Sequence, residues 1–186
     1  MLDFTINSPD SLSKLIKEKE IVSWQELVTY VKNIPYGRNS NRTDSRLVLT
    51  ENKGTCSSKH ALLKRIADIH GAKNIELFTG IYKMNSTNTP KIGNILLENG
   101  LDYIPEAHCY LRYKGETIDA TSDTSDFERI KKDIIIERKI QPDQVANFKE
   151  QFHQNFIKTW IISERLNFSY SELWEIREEC IYNLST

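Results

Sequence analysis

The sequence predicts an α+β fold, with helices before and after a group of strands instead of a regular alternation. Three observations support this. Amphipathic helical patterns recur before Gly71, strand patterns dominate residues 75–140, and helical periodicity returns after Pro142. The strands also contain a hairpin signal at Lys114 and Gly115, where parallel crossovers would need long connections. At 186 residues the chain is long enough to bury a core without disulfide staples, so a single domain over 1–186 is expected. Its core is expected over about residues 24–140, with a helical extension over about 142–186.

The elements follow in order. Asp10, after Ser8 and Pro9, opens a short helix carrying Leu12, Leu15 and Ile16. Ser23 and Glu26 have capping-box spacing, and Trp24, Leu27, Val28 and Val31 form an apolar stripe behind them. Pro35 stops that helix. Residues 36–55 read as a long polar loop interrupted only by Leu47, Val48 and Leu49, and loops of that length are often functional. A helix then starts at Cys56, with Leu62, Ile66 and Ile69 at i, i+4 and i+7, and Gly71 ends it. Residues 75–84 read as a strand and 91–99 as helical, with Gly100 as the stop. Strands are expected at 106–113, 116–120 and about 134–140. A long helix after Pro142 carries Phe148, Phe152, Phe156 and Trp160 on one ridge. The last helix, about 170–184, carries Leu173, Ile176, Cys180, Ile181 and Leu184.

Charge and cysteine content narrow the function. With 25 basic and 26 acidic residues the net charge is -1, which removes the electrostatic motive for nucleic-acid binding. Met1 to Asn7 lacks a basic region followed by an apolar run, and no apolar stretch reaches membrane-spanning length. Three widely spaced cysteines do not suit a disulfide framework. The expectation is a cytoplasmic protein without a membrane partner.

Cys56 is the thiol best placed for chemistry. It lies where a loop containing Gly54 turns into a helix, and first-turn N–H groups favour a thiolate. The same N–H groups suit an oxyanion hole, with a second donor sought in Asn52 or in the loop around Asn39 and Asn41. Cys180 falls in an apolar stripe, and Cys109 faces the opposite side of its strand from His108, so both read as structural. Among the histidines, His70 reads as a surface or capping residue, His153 as solvent-facing, and His60 as a packed support one turn below Cys56. His108 sits early in a strand, and the next strand carries Asp119. A two-residue turn at Lys114 and Gly115 pairs Tyr113 with Glu116. Asp119 then lies opposite Tyr110, on the same face as His108, whereas a three-residue loop would shift the register by one and put Asp119 on the opposite face.

Gly54-Thr55-Cys56-Ser57 at a helix start, Glu106-Ala107-His108-Cys109-Tyr110, and Thr117-Ile118-Asp119 together resemble the transglutaminase-like cysteine enzymes, which share a papain-like core. The resemblance covers roughly residues 24–121. It implies a nucleophile at the head of a central helix packed on a small antiparallel sheet. It also implies Cys56 as nucleophile, His108 as general base and acid, and Asp119 as the residue orienting His108. Here Ser57 follows the cysteine where animal transglutaminases commonly have an aromatic residue, and the C-terminal helices lie outside the shared pattern.

The expected activity is acyl transfer from an amide or thioester, by hydrolysis or transglutaminase-type transfer, on a peptide, protein or small amide. Arg38, Asn52 and Glu106 are candidate substrate contacts, with Glu106 read equally well as a solvent carboxylate at a strand end. No cofactor and no metal are expected. A zinc site from Cys56, His60, His108 and Cys109 is disfavoured, because the adjacent His108 and Cys109 point oppositely. The alternatives are a non-catalytic interaction module on the same fold, which predicts a missing triad member, and an acyl-CoA-dependent N-acyltransferase, which needs an acyl-CoA pocket.

Overall fold

The computed structural model describes residues 2–184. The fold is α+β, with a small four-stranded antiparallel sheet and several helices. The N-terminal helices are α1 (Ser11–Lys17), α2 (Trp24–Asn33), the short α3 (Leu47–Thr50) and α4 (Cys56–Ile69). β1 (Ile75–Met84) leads through a 3-10 turn at Pro90–Ile92 and α5 (Ile95–Glu98) to β2 (Ile104–Tyr113) and β3 (Glu116–Ile118). Then come α6 (Glu128–Lys131), β4 (Ile134–Ile140), a second 3-10 turn at Pro142–Val145, α7 (Asn147–Ser163) and α8 (Tyr170–Asn183). No helix among the described residues is long and apolar enough to cross a membrane.

Local chemistry accounts for the helix starts. The Asp10 carboxylate accepts from the N–H groups of Leu12 and Ser13 at 2.9 and 3.0 Å, which caps α1. Burial works to raise the Asp10 carboxyl, but its hydrogen bonds overcome that and hold it down at about 2. At α2 the expected box is present: Glu26 N–H donates to Ser23 Oγ, and the Glu26 carboxylate accepts from Ser23 N–H. Ser169 and Glu172 repeat the device at α8.

The sheet order is β3-β2-β1-β4. β2 and β3 pair antiparallel as Leu111↔Ile118, Arg112↔Thr117 and Tyr113↔Glu116, the register expected from a two-residue turn. Lys114 and Gly115 both have positive φ, 49° and 86°, as a turn matching the strand twist requires. The edge strand β4 carries Glu137, Arg138 and Lys139, and Lys139 Nζ pairs with Glu76 on β1 at 2.5 Å. Charges along an edge discourage pairing with another chain.

The chain forms two compact units. The first comprises the chain up to Thr79, Cys109–Ser125 and Arg138–Ala146. Its core joins Trp24, Leu27 and Val31 of α2 with Leu62, Leu63 and Ile66 of α4, and with Ile75, Leu77, Cys109 and Leu111 of the sheet. On the alternate strand positions Phe78 stacks on Tyr110 at 6.1 Å, with the Arg112 guanidinium 4.5 Å over the Phe78 ring.

The second unit comprises Gly80–His108, Asp126–Glu137 and the chain from Asn147. In it α8 packs against α7, α5 and the 3-10 turn at Pro90–Ile92. The C-terminal helices α7 and α8 fall in the same unit as Gly80–His108.

Four expectations change at the level of side chains. Ile69 is exposed, and α4 instead buries Leu63 and Ala67 beside Leu62 and Ile66. Residues 91–99 form two short turns, Pro90–Ile92 and Ile95–Glu98, because Gly93 takes φ 64° between them. On α7 the buried ridge is His153, Ile157 and Trp160, while Phe148 is exposed. His153 is therefore buried and not solvent-facing: Nε2 donates to the Pro105 carbonyl at 2.7 Å, a partner 48 residues away.

Candidate active site

Cys56 is the first residue of α4, and the extended Thr55 precedes it as N-cap. Thr55 N–H donates to Ser58 Oγ at 3.1 Å, fastening the entry to the helix. Cys56 therefore stands in the first turn of the helix, where backbone N–H groups point toward the helix start. All three cysteines are thiols and buried, but Cys56 alone keeps some exposure, 6% against 0% for Cys109 and Cys180. Cys109 lies in the first unit's core, with its Sγ 3.8 Å from Ser57 Oγ. Burial pushes the Cys180 thiol up to about 11, which makes it a poor nucleophile.

Gly54 leads into the helix through a tight space. Its N–H donates to the Pro35 carbonyl, and its carbonyl accepts from Gly37 N–H, closing residues 36–54 at their base. A Cβ on Gly54 would stand 2.8 Å from Lys59 Cγ and 3.1 Å from Ser58 Oγ, so only glycine fits without displacement.

Lys59 and His60 on α4 grip the segment that follows β3. His60 is fully buried. Its Nδ1 donates to the Cys56 carbonyl at 2.7 Å, and its Nε2 accepts from Ala120 N–H at 2.8 Å. That pattern requires the neutral Nδ1–H tautomer and uses both ring nitrogens on backbone. His60 is thus a support, as expected, and its engaged nitrogens argue against the zinc alternative. The Lys59 ammonium donates to the carbonyls of Ile34 and Thr121, the latter at 2.7 Å. Burial lowers Lys59 to about 8, while the negative charges of Asp119 and Asp123, and of Cys56 when ionised, pull it back up.

Asp119 lies in the same unit. Its Oδ1 accepts from Thr121 N–H at 3.1 Å and from Thr121 Oγ1 at 2.6 Å, and stands 3.8 Å from His60 Nε2. Cys56 and Asp119 are therefore both tied to the first turns of α4. His108 closes the Gly80–His108 segment of the second unit, half-buried on β2, with its ring edge-on to Tyr82 at 6.3 Å.

No protein-family model, curated protein or solved structure matches this chain. The site therefore stands on its own geometry.

The remaining candidates have other local roles. Both Glu106 oxygens accept from Arg177 of α8 at 2.7 Å, and His153 Nε2 stands 3.8 Å away. Glu106 is thus a buried ion-pair partner and not a solvent carboxylate, and binding a substrate would first require breaking that pair. Asn39 is buried, and its amide donates to the Leu47 and Lys53 carbonyls and to Glu51. That engagement makes Asn39 a loop staple and removes it as an oxyanion donor. Asn41 closes a turn, accepting from the Thr43 N–H and hydroxyl. Arg38 is exposed at the base of the loop, next to Gly37.

Asn52 is exposed at φ 48°, a left-handed conformation that asparagine tolerates better than most residues. Asn52→Ala is expected to lower stability by about 1 kcal/mol and Asn52→Gly to leave it nearly unchanged, measured by urea unfolding. Equal stability of the two variants would show that Asn52 has no turn-forming role.

Sequence reasoning missed Lys59 altogether. The available signal was its position: Cys56, Lys59, His60 and Leu63 fall on one helix face at i, i+3, i+4 and i+7, so a lysine interrupts a face that is otherwise packed.

Proposed function

We propose that this chain is a cysteine-dependent acyl-transfer enzyme of transglutaminase-like type, built on a papain-like core and working in the cytoplasm. Cys56 is the nucleophile, His108 the general base and acid, and Asp119 the residue that orients His108. The observation that carries the reading is the head of α4: a cysteine at the first helical position, with the Asp119 segment fastened to the same helix through His60 and Lys59. The hairpin register adds support. β2 and β3 pair down to Leu111↔Ile118, so Asp119 directly follows the strand that pairs with the His108-bearing β2.

The chemistry follows from these roles. The Cys56 thiol passes its proton to His108, and the sulfur attacks the carbonyl carbon of an amide or thioester. The backbone N–H of Cys56 donates to the developing oxyanion. When the tetrahedral intermediate collapses, His108 returns the proton to the leaving group and an S-acyl enzyme remains. Water or an acceptor amine then attacks the acyl carbon, His108 takes the attacking group's proton, and the thiolate departs. The substrate is a peptide, protein or small amide, and no cofactor enters the cycle.

The test is intact-mass detection of an acyl adduct after exposure to an amide-substrate library, with water and amines competing as acceptors. The adduct is expected on Cys56 and nowhere else. A related prediction concerns alkylation at pH 6 to 7: Cys56 should label before Cys109 and Cys180. First labelling at either of the other thiols would remove Cys56 as the nucleophile.

A further inference from the structure

We propose that Lys59 is a positioning residue for Cys56: its buried ammonium ties the end of α2 and the segment after β3 to the head of α4, and its charge favours the Cys56 thiolate. This inference deepens the proposed acyl-transfer reading and rests on it. Three observations support it. Lys59 is fully buried, which a lysine tolerates only when its ammonium is partnered. Its Nζ donates to two carbonyls from separate stretches of chain, Ile34 and Thr121, 25 and 62 residues away. Gly54, just ahead of the nucleophile, leaves the space that the lysine stem occupies.

The arrangement gives one lysine two effects. Mechanically, the Thr121 carbonyl and the Ala120 N–H are held by adjacent α4 residues, Lys59 and His60. The carboxylate of Asp119 is itself bound by Thr121, so its placement depends on that grip. Electrostatically, the charged groups acting on Lys59 are Asp119 and Asp123 after β3 and Cys56 on α4, while the end of α2 contributes the Ile34 carbonyl. The interaction between Lys59 and Cys56 is mutual: a thiolate stabilises the ammonium, and the ammonium stabilises the thiolate equally. Because burial lowers Lys59 to about 8, its charge is present at neutral pH and is lost in mildly alkaline solution. Its support of the thiolate is therefore greatest below pH 8.

The experiment compares iodoacetamide alkylation of Cys56 in the wild type, Lys59→Met and the exposed-site control Lys73→Met, from pH 5 to 9, with labels mapped by peptide mass. Lys59→Met is expected to slow Cys56 alkylation at pH 6.5 about tenfold, with the difference closing above pH 8, where the wild type also loses the charge. Lys73→Met should follow the wild type throughout. A folded Lys59→Met protein whose alkylation profile stays within twofold of the wild type overturns the inference.

Should Lys59→Met fail to fold, the wild-type background decides. The Lys59 ammonium is titrated by nitrogen-15 NMR with and without Cys56→Ala, and loss of the thiolate should lower its midpoint. An unchanged midpoint overturns the inference. The two readings fail differently. Absence of an acyl adduct on Cys56 removes the enzyme, whereas an intact adduct with a lysine-independent thiol removes only the role of Lys59.

Discussion

Cys56→Ala is expected to abolish acyl-adduct formation and to lower turnover about ten-thousand-fold or more, while the fold is retained. Removing a nucleophile from a unit that works through it leaves only the catalysis due to binding and oxyanion donors. The backbone donor at position 56 survives in the variant, so residual substrate binding should remain. Alanine is a good helix former, and the capping contact between Thr55 N–H and Ser58 Oγ does not involve the sulfur. Asp119→Asn should produce a partial loss, of about a hundredfold or more, because the amide cannot hold an imidazole in the same tautomer. The measurement is single-turnover release from an activated amide or thioester, with circular dichroism as the folding control. Turnover by Cys56→Ala within tenfold of the wild type would eliminate the thiol mechanism.

Arg177→Met is expected to destabilise the protein by about 3–5 kcal/mol, well above the roughly 1 kcal/mol expected for the turn at Asn52. The reason is the orphan it leaves. Glu106 is buried on β2 and takes both of its Arg177 hydrogen bonds at 2.7 Å, with His153 of α7 beside it. Without the guanidinium, a carboxylate stays in a low-dielectric site beside a buried histidine that resists protonation. Replacing both partners, Arg177→Met with Glu106→Met, should recover most of the loss, because no charge is then left unpaired. Urea unfolding of the two single variants and the double variant measures this as a coupling energy. Additive losses would mean that the pair does not act as a unit.

The same network sets a direction for pH. Burial works to raise the Glu106 carboxyl, but Arg177 and then His153 hold it below its ordinary value of 4.5. Stability from this group is present above that value and is lost as the pH falls through the lower folded one. His153 is pushed below its ordinary 6.5, chiefly by burial, with Glu106 opposing. Its unfolded form therefore binds protons first, and stability declines once the pH falls below 6.5. Both groups make the protein weaker in acid, His153 first and Glu106 next. Two residues beyond Glu106 on the same strand stands His108, so loosening this anchor is expected to reach the residue proposed as general base.

Much of the fold was legible because its signals are local. The Ser23 and Glu26 box, the stop at Pro35, the helix head at Cys56 and the turn at Lys114 and Gly115 each depend on residues within four positions. The β2–β3 register is that of the two-residue turn suggested at Lys114 and Gly115, while the alternative three-residue loop would have shifted it by one. The support role of His60 was also legible, from its place one helical turn below Cys56.

The burial of charge was not legible. Lys59, Glu106, His153 and Arg177 carry groups that composition assigns to the surface. Each is inside because a remote partner meets it: Thr121 for Lys59, Pro105 for His153, and Arg177 for Glu106 across 71 residues. The ridge of α7 turned toward His153 for the same reason, leaving Phe148 exposed. The sequence by itself determined where helices begin, how the hairpin pairs and which thiol heads a helix, because those follow from backbone donors and periodicity over a few residues. Only the tertiary structure decided which charges are buried and what they hold. A buried ion is tolerated only when its desolvation is offset by partners, and in this chain those partners come from distant stretches that no local pattern specifies.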